Sequence, residues 1–291
     1  MTNEKNIRPS WVDNSLFPFK SNFMELDGCN IHYVDVGSGP TLLLLHGNPT
    51  WSFLYRNIIK ALSPRFRCVA PDYPGFGLSS ARNGYGFTPS EHSAILEKFT
   101  DKLGLSDVTM MVQDWGGPIG MGLAVRRPEM FRAFVIGNTW AWPVNGDAHF
   151  EQFSKFMGGM VGRFLIRRLN FFVGVILVKN AMPHNFTLEE IAMYRGPFPT
   201  PKSRDPLAIF PKQILEARAY LAEVEKGLSS LSSRPALLVW GDKDVAFREK
   251  ELNRWQSIFP AAKTVMLTGA GHYIQEAVPE RITDAITEWW R

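Results

Sequence analysis

Cysteine is scarce in this sequence: two residues in 291, Cys29 and Cys68, in separate apolar runs with no CxxC or metal-ligand spacing. That sets aside a disulfide framework, a thiolate zinc site and a redox dithiol, and two reduced, buried thiols fit a cytoplasmic protein. Long apolar runs are missing too. The longest, near 171–178, falls well short of the ~20 residues that span a bilayer, so no transmembrane segment is expected. The polar start MTNEKNIRPSW has no apolar core for a secretory signal. At a net charge of +4 no basic block is dense enough to make nucleic acid a partner. Arg163, Arg167 and Arg168 cluster, but they read as a solvated helix face. Internal repeats, low-complexity segments, metal-ligand clusters and phosphate-binding glycine loops are all absent, so no metal, nucleotide or other cofactor is expected.

What is present is apolar bulk in short pieces. A hydrophobic content of 45%, with 21 Phe and 9 Trp, can fill a sizeable core, and the length suits one large α/β domain with an insertion or two smaller domains. Runs at 31–36, 41–45, 66–70, 108–112 and 131–137 read as strands, several without alternation, as in a sheet covered on both faces. Helical periodicity falls between them at 52–62, 89–103 and 118–127. The alternation resumes with strands at 235–240 and 263–267 and helices at 248–258 and 276–290. This order predicts an α/β fold with a mostly parallel central sheet and helices on both faces.

Residues 140–228 break the rhythm, with helical segments, the link RGPFPTPKSRDP (195–206) and no convincing strand. They are expected to form an all-helical cap inserted between two parts of a main domain, 1–139 and 229–291. Such a cap covers the carboxyl edge of the sheet, where ligands bind. Its Phe153, Phe156, Met157, Met160, Phe164 and Phe171 are expected to pack, with some lining a cavity beneath.

The most specific stretch is VQDWGG, 112–117. An apolar run ends on Asp114, turns at Trp115 and two glycines, and enters a helix. This is the strand–turn–helix of a nucleophile elbow, with Asp114 where serine usually stands, Gly116 as the following small residue, and Val112 in place of the first glycine. The order nucleophile, acid, histidine can be followed along the chain. LLVWGDKDVAF (237–247) ends a strand in a turn bearing Asp242 and Asp244, and TVMLTGAGHYIQE (264–276) places His272 just beyond the last strand. All three segments end strands on one edge of the sheet. His32, in a strand, His92, in a helix, and His149 and His184, in the insertion, read as structural. His46, in LLLLHGNPTW (42–51), reads as shaping its loop.

That loop and the residue after Asp114 supply the backbone N–H groups of an oxyanion hole, Asn48 and Trp115, and both residues carry side-chain N–H donors as well. A carboxylate can displace a leaving group from saturated carbon by in-line attack. Halide fits as that group because it needs N–H donors and a dry pocket rather than a proton. His272 would then activate water against the ester on Asp114, with Asp244 holding its tautomer. The expected partners are a small halogenated aliphatic substrate, water and the halide product.

With these residues in place, the chain resembles the haloalkane dehalogenases of the α/β-hydrolase superfamily. The likeness runs through HGNPTWSFLYRNII (46–59), APDYPGFGLS (70–79), VQDWGG (112–117), YRGPFPTP (194–201) and GHYIQE (271–276). It implies an α/β-hydrolase fold with a helical cap, Asp114 as nucleophile, His272 as base, and Asn48 and Trp115 as halide donors. Family members place the acid after one of two strands. Asn138, in VIGNTW, holds the first position and has no charge, so the resemblance assigns Asp244, with Asp242 structural and Asp72, in PDYPG, fixing a turn. Asn48 together with Asp244 is similar to the third subfamily, some members of which form large oligomers, so a homo-oligomer is a further expectation.

Three rivals share the superfamily. An epoxide hydrolase uses the same Asp nucleophile but needs acid donors, usually two cap tyrosines; Tyr194 and Tyr220 are available, whereas Asn48 after His46-Gly47 argues against it. A cofactor-independent luciferase is more distant. A non-catalytic binding protein would often have lost a member of the triad, and all three members stand in this chain.

Overall fold

A computed structural model describes residues 8–290; residues 1–7, most of the polar start, and Arg291 lie outside the described residues. Among the described residues eight strands form one sheet: β1 Asn22–Leu26, β2 Cys29–Val36, β3 Thr41–Leu45, β4 Arg67–Pro71, β5 Val108–Asp114, β6 Phe131–Thr139, β7 Ala236–Gly241 and β8 Lys263–Leu267. Their spatial order is β1-β2-β4-β3-β5-β6-β7-β8. The pairs β1–β2 and β2–β4 are antiparallel and every later neighbour pair is parallel. β5, β6 and β7 are buried along almost their whole length, which is why their sequences run apolar without alternation.

Helices α1 Arg56–Leu62, α2 Pro89–Lys102 and α3 Gly116–Arg126 follow β3, β4 and β5. α2 starts on a capping box in which Thr88 and Glu91 satisfy each other's backbone N–H, with Pro89 in the first turn where no N–H is needed. The helix expected over 52–62 begins instead as a 3-10 turn, Ser52–Tyr55, before α1. The run from β6 to β7 holds helices joined by loops and no strand: α4 Ala148–Gly158, α5 Met160–Leu169, a π-helical segment Phe172–Leu177 leading into the single turn α6 Val178–Asn180, then α7 Leu188–Arg195, α8 Asp205–Glu216, α9 Arg218–Gly227 and a 3-10 turn Leu228–Leu231. α10 Glu249–Ile258 separates β7 from β8. The C-terminal helix divides into α11 Ile274–Ala277 and α12 Pro279–Trp289 because a residue before proline is pushed out of the helical region, and Val278 sits at φ −149°, ψ 57°.

The cap side chains require a correction. Met157 is buried and Phe171 packs partly against the core, but Phe156, Met160 and Phe164 are exposed. α5 buries Gly162 and Ile166, so positions 160 and 164 fall on its outward side.

Candidate active site

β5 runs two residues further than its apolar core, to Asp114, and α3 begins at Gly116 rather than at Pro118. The register between β5 and β6 slips between Gln113 and Asp114, and Asp114 takes a left-handed φ of 50°. That conformation costs a non-glycine residue about 1–2 kcal/mol and lifts its side chain above the sheet edge. Close backbone approach on both sides explains the neighbouring glycines. A Cβ on Gly116 would lie 2.3 Å from the Leu45 carbonyl oxygen, and one on Gly47 2.2 Å from Asp114 Oδ1. The Asn48 backbone N–H donates to Asp114 Oδ1 at 2.7 Å, and Thr139 Oγ1 donates to the Asp114 carbonyl. Trp115 is the N-cap of α3, so the carboxylate stands at a helix end whose first N–H groups have no intrahelical acceptor.

His272 faces this carboxylate from the loop after β8. Its Nε2 is 3.5 Å from Asp114 Oδ2 and its Nδ1 is 2.9 Å from Asp244 Oδ2. Asp244 accepts from the Ala246 N–H with its other oxygen, at 2.7 Å, and its side chain is fully buried. Asp242 is turned elsewhere: its Oδ1 accepts from the Gly269 N–H at 2.6 Å and closes the turn beside β8. Burial works against the imidazolium, yet Asp244 and Asp114 together outweigh it and push the His272 pKa up to about 10.

Three residues hold this arrangement to which sequence reasoning gave no role: Asn138, set aside there because it has no charge, and Gln113 and Tyr273, which it passed over. Asn138 accepts from the Gly241 N–H at 2.9 Å and donates to the carbonyls of Gly271 at 3.0 Å and His272 at 3.3 Å, so it ties the ends of β6 and β7 to the histidine loop. Gln113 Nε2 donates to the His272 carbonyl at 3.1 Å and lies 3.0 Å from His272 Nε2. The Tyr273 hydroxyl donates to the Asn48 carbonyl at 3.2 Å. The signal for the first two was a polar side chain at the end of an apolar strand.

The remaining candidates separate cleanly. His46 has its Nδ1 on the Gly47 carbonyl at 2.9 Å and accepts from the Tyr73 N–H at 3.1 Å, and burial lowers its pKa, so it is a neutral brace for the loop. Asp72 accepts from the Ser52 and Leu78 N–H groups and pairs with His32 at 2.8 Å, fixing two turns at once. His92 is buried beside the Tyr85 hydroxyl. His149 is a correction: read as structural, it lines the cavity above Asp114, with Nε2 on the Ala246 carbonyl at 3.2 Å. The two cap tyrosines lie elsewhere. Tyr194 donates to Glu276, Tyr220 donates to the Pro118 carbonyl at 2.8 Å, and neither lines that cavity.

The cavity holds about 160 Å³ and is walled by Asn48, Asp114, Trp115, Trp140, Phe247 and His272 together with cap residues that include Phe153 and Phe172. The Trp115 ring packs edge-on against Trp140, 4.7 Å between centroids, and lies 4.6 Å from Phe210. Among the described residues neither the Trp115 indole nor the Asn48 side-chain amide donates to another protein group. Two residues with free N–H donors and one with a carboxylate therefore line one largely apolar space. Trp140 Nε1 is likewise buried without a partner.

A second cluster of ligand-type atoms, His184, Glu190 and Glu276, lies close enough to hold a cation. The Arg56 guanidinium is already that cation, with Nη2 at 2.6 Å from Glu190 Oε1 and 2.9 Å from Glu276 Oε2. A metal ion there would meet a like charge, so the donor set fits an arginine.

A family model described as the alpha/beta hydrolase fold matches residues 40–277. Haloalkane dehalogenase 2 of Mycobacterium tuberculosis is 46% identical over 278 residues, 95% of this chain and 96% of that protein. The cis-3-alkyl-4-alkyloxetan-2-one decarboxylase of Shewanella oneidensis is 32% identical over 282 residues, 92% of this chain and 87% of that protein. Among solved structures, haloalkane dehalogenase DbeA from Bradyrhizobium elkani superposes with a TM-score of 0.85 at 28% identity, covering 93% of this chain and 97% of that one.

Proposed function

This chain belongs to the haloalkane dehalogenases of the alpha/beta hydrolase fold, and from that premise we propose the chemistry by which it hydrolyses a carbon–halogen bond. Asp114 is the nucleophile. Its Oδ1, held by the Asn48 N–H, becomes the ester carbonyl oxygen, and its Oδ2 attacks the halogen-bearing carbon from the side opposite the halogen. The carbon–halogen pair of electrons leaves with the halide, which the Trp115 indole N–H and the Asn48 amide receive. His272 then takes a proton from water as the water oxygen adds to Asp114 Cγ. The Asn48 backbone N–H, with that of Trp115, stabilises the oxyanion. On collapse the C–O bond to the alkyl group's oxygen breaks, and that oxygen takes the proton from His272 and leaves as the alcohol. The Asp114 carboxyl gives up its remaining proton to solvent and is a carboxylate again. Asp244 orients His272 and stabilises its charge. No cofactor enters these steps.

The observation that carries this reading is that Trp115 and Asn48, whose side-chain N–H groups meet no acceptor among the described residues, line the same cavity as an elbow carboxylate. A serine-type hydrolase has no use for such donors; an expelled anion does. Residues 140–228 act as the cap that keeps this space dry, between main-domain parts 1–139 and 229–291. Buried, unpaired Cys29 and Cys68 fit a reducing compartment such as the cytoplasm. Among the described residues no helix is long and apolar enough to cross a membrane.

The substrate of the Shewanella relative gives a second reading, because an Asp nucleophile can also open a strained four-membered lactone. Volume favours the haloalkane. An apolar cavity of ~150 Å³ accepts a benzene-sized guest, which suits a short haloalkane better than an oxetanone bearing two alkyl groups. The test is to incubate the protein with 1-bromobutane, 1,2-epoxybutane and a cis-3,4-dialkyloxetan-2-one, and to measure bromide, diol and carbon dioxide. Bromide release is expected. Diol or carbon dioxide without bromide would overturn the reading.

A further inference from the structure

α5 turns an apolar side to solvent. It buries Gly162 and Ile166, while Met160, at 91% exposure, stands out with Val161 and Phe164. On the preceding helix, Phe156 is 57% exposed, and Phe153, one turn earlier, is both exposed and part of the lining of the active-site cavity. Val245, also exposed, lines the cavity too, so its lining reaches the surface at these two residues. Exposed apolar side chains therefore recur from that mouth, at Phe153 and Phe156 on α4 and at Met160, Val161 and Phe164 on α5. Single exposed apolar residues are ordinary, but a set this dense marks an interaction surface.

The same face is basic. A surface groove of about 530 Å³ is walled by Met160, Phe164, Arg163, Arg168 and Lys202, with Arg167, Pro201 and Asp205 completing it. Arg167 is matched by Asp205 at 2.8 Å. Arg163, Arg168 and Lys202 make no ion pair among the described residues.

We propose that this face docks on an anionic lipid bilayer surface. Phe156, Met160 and Phe164 enter the boundary between headgroups and acyl chains, while Arg163, Arg168 and Lys202 lie against lipid phosphates. An amphipathic helix with this division of side chains lies in the interface plane, and each basic residue near the surface adds to the attraction. Charge also selects the occupant. A second copy bound through the same patch would bring its three unmatched cations against these three, and the one acid in the groove is already committed to Arg167. An anionic bilayer meets both the apolar side chains and the charge. Docked there, the cavity mouth at Phe153 sits beside the phase into which apolar haloalkanes partition, a consequence that rests on the dehalogenase reading, whereas the docking does not.

The experiment is co-sedimentation of the full chain with phosphatidylglycerol and phosphatidylcholine vesicles, with light scattering of the free protein alongside. Binding to phosphatidylglycerol, weakened by salt and weak on phosphatidylcholine, is expected. The triple variant Arg163→Gln/Arg168→Gln/Lys202→Gln should bind about a hundredfold more weakly. Met160→Ser/Phe164→Ser should also lose binding at unchanged charge, with bromide release from dissolved 1-bromobutane preserved in both. Wild-type protein that ignores phosphatidylglycerol, or variants that bind as the wild type does, would overturn the proposal. A fall in the particle mass of Met160→Ser/Phe164→Ser without any vesicle binding by the wild type would assign the face to a second copy instead. Because binding is read on vesicles and activity in solution, either reading can fail without the other.

Discussion

His272 stands between two carboxylates, with Nε2 3.5 Å from Asp114 and Nδ1 2.9 Å from Asp244. Its pKa is raised to about 10 in spite of burial, so the ring is charged at neutral pH before substrate arrives. The sign for stability follows. The charged ring stabilises the folded chain fully below its ordinary value of ~6.5, and that contribution is lost as pH rises through about 10. For catalysis the consequence is sequential. A charged imidazolium cannot act as a base, but in the proposed reaction attack by Asp114 would turn one of its two partners into a neutral ester. With that charge gone the pKa would fall and the ring would release its proton, so that a base would form only after there is an ester to hydrolyse.

Asp114→Asn, a neutral stand-in for the ester, should therefore move the His272 titration down. Following the imidazole signals by NMR as a function of pH should show a lower pKa in the variant than in the wild type. Equal titration curves would mean that Asp114 does not set the charge of the ring.

Trp115→Phe keeps the aromatic packing against Trp140 and Phe210 and removes the indole N–H. Loss of one donor to a developing anion costs about 3 kcal/mol, roughly a hundredfold in the halide-releasing step. Rapid-quench halide release and bromide binding should both weaken. If both are unchanged, the indole is not a halide donor.

Asp244 and Asp242 share one turn but differ in what they touch. Asp244→Asn leaves a hydrogen bond to His272 without the charge, so ester hydrolysis should slow much more than ester formation. Asp242→Asn should affect turnover far less, since its carboxylate meets the Gly269 N–H. The reverse ranking in single-turnover kinetics would move the acid by two residues.

Arg56, at the start of α1, is buried between Glu190 on α7 and Glu276, which follows the histidine loop. Arg56→Met would strand two carboxylates and should cost about 3–5 kcal/mol of stability, seen as a large drop in melting temperature. Lys98→Met, which removes an exposed pair with Asp27, should cost less than ~1 kcal/mol. Similar small losses in both would show that the buried network does not lock the cap to the sheet.

The core of the fold was legible because buried parallel strands announce themselves as apolar runs, and β3 and β8 begin and end where the sequence predicts. Asp114, Asp244 and His272 could be found because each follows such a run in a fixed chain order. β1 was missed: NFMEL is a half-buried edge strand with weak alternation, and its clue was the Asp27–Gly28 turn, both residues at positive φ, which closes a hairpin onto β2. The Arg56 network was illegible because its members lie 134 and 220 residues apart. Helical periodicity in the cap showed that an apolar face exists but not whether anything covers it, so Phe156, Met160 and Phe164 were misread as core. His149 was misread for a related reason, since a lone histidine in a helix gives no sign of the cavity it borders.

The covalent ester is tested most directly by His272→Phe treated with a bromoalkane. Asp114 would still attack carbon, but no base would activate water, so each site should release about one bromide and stop. Intact-protein mass spectrometry should then find one alkyl group added, located on the peptide containing Asp114 and absent from Asp114→Asn. Sustained turnover, or no bromide from a folded variant that still binds substrate, would contradict direct attack by Asp114 and point to water activated by His272 as the group that reaches carbon.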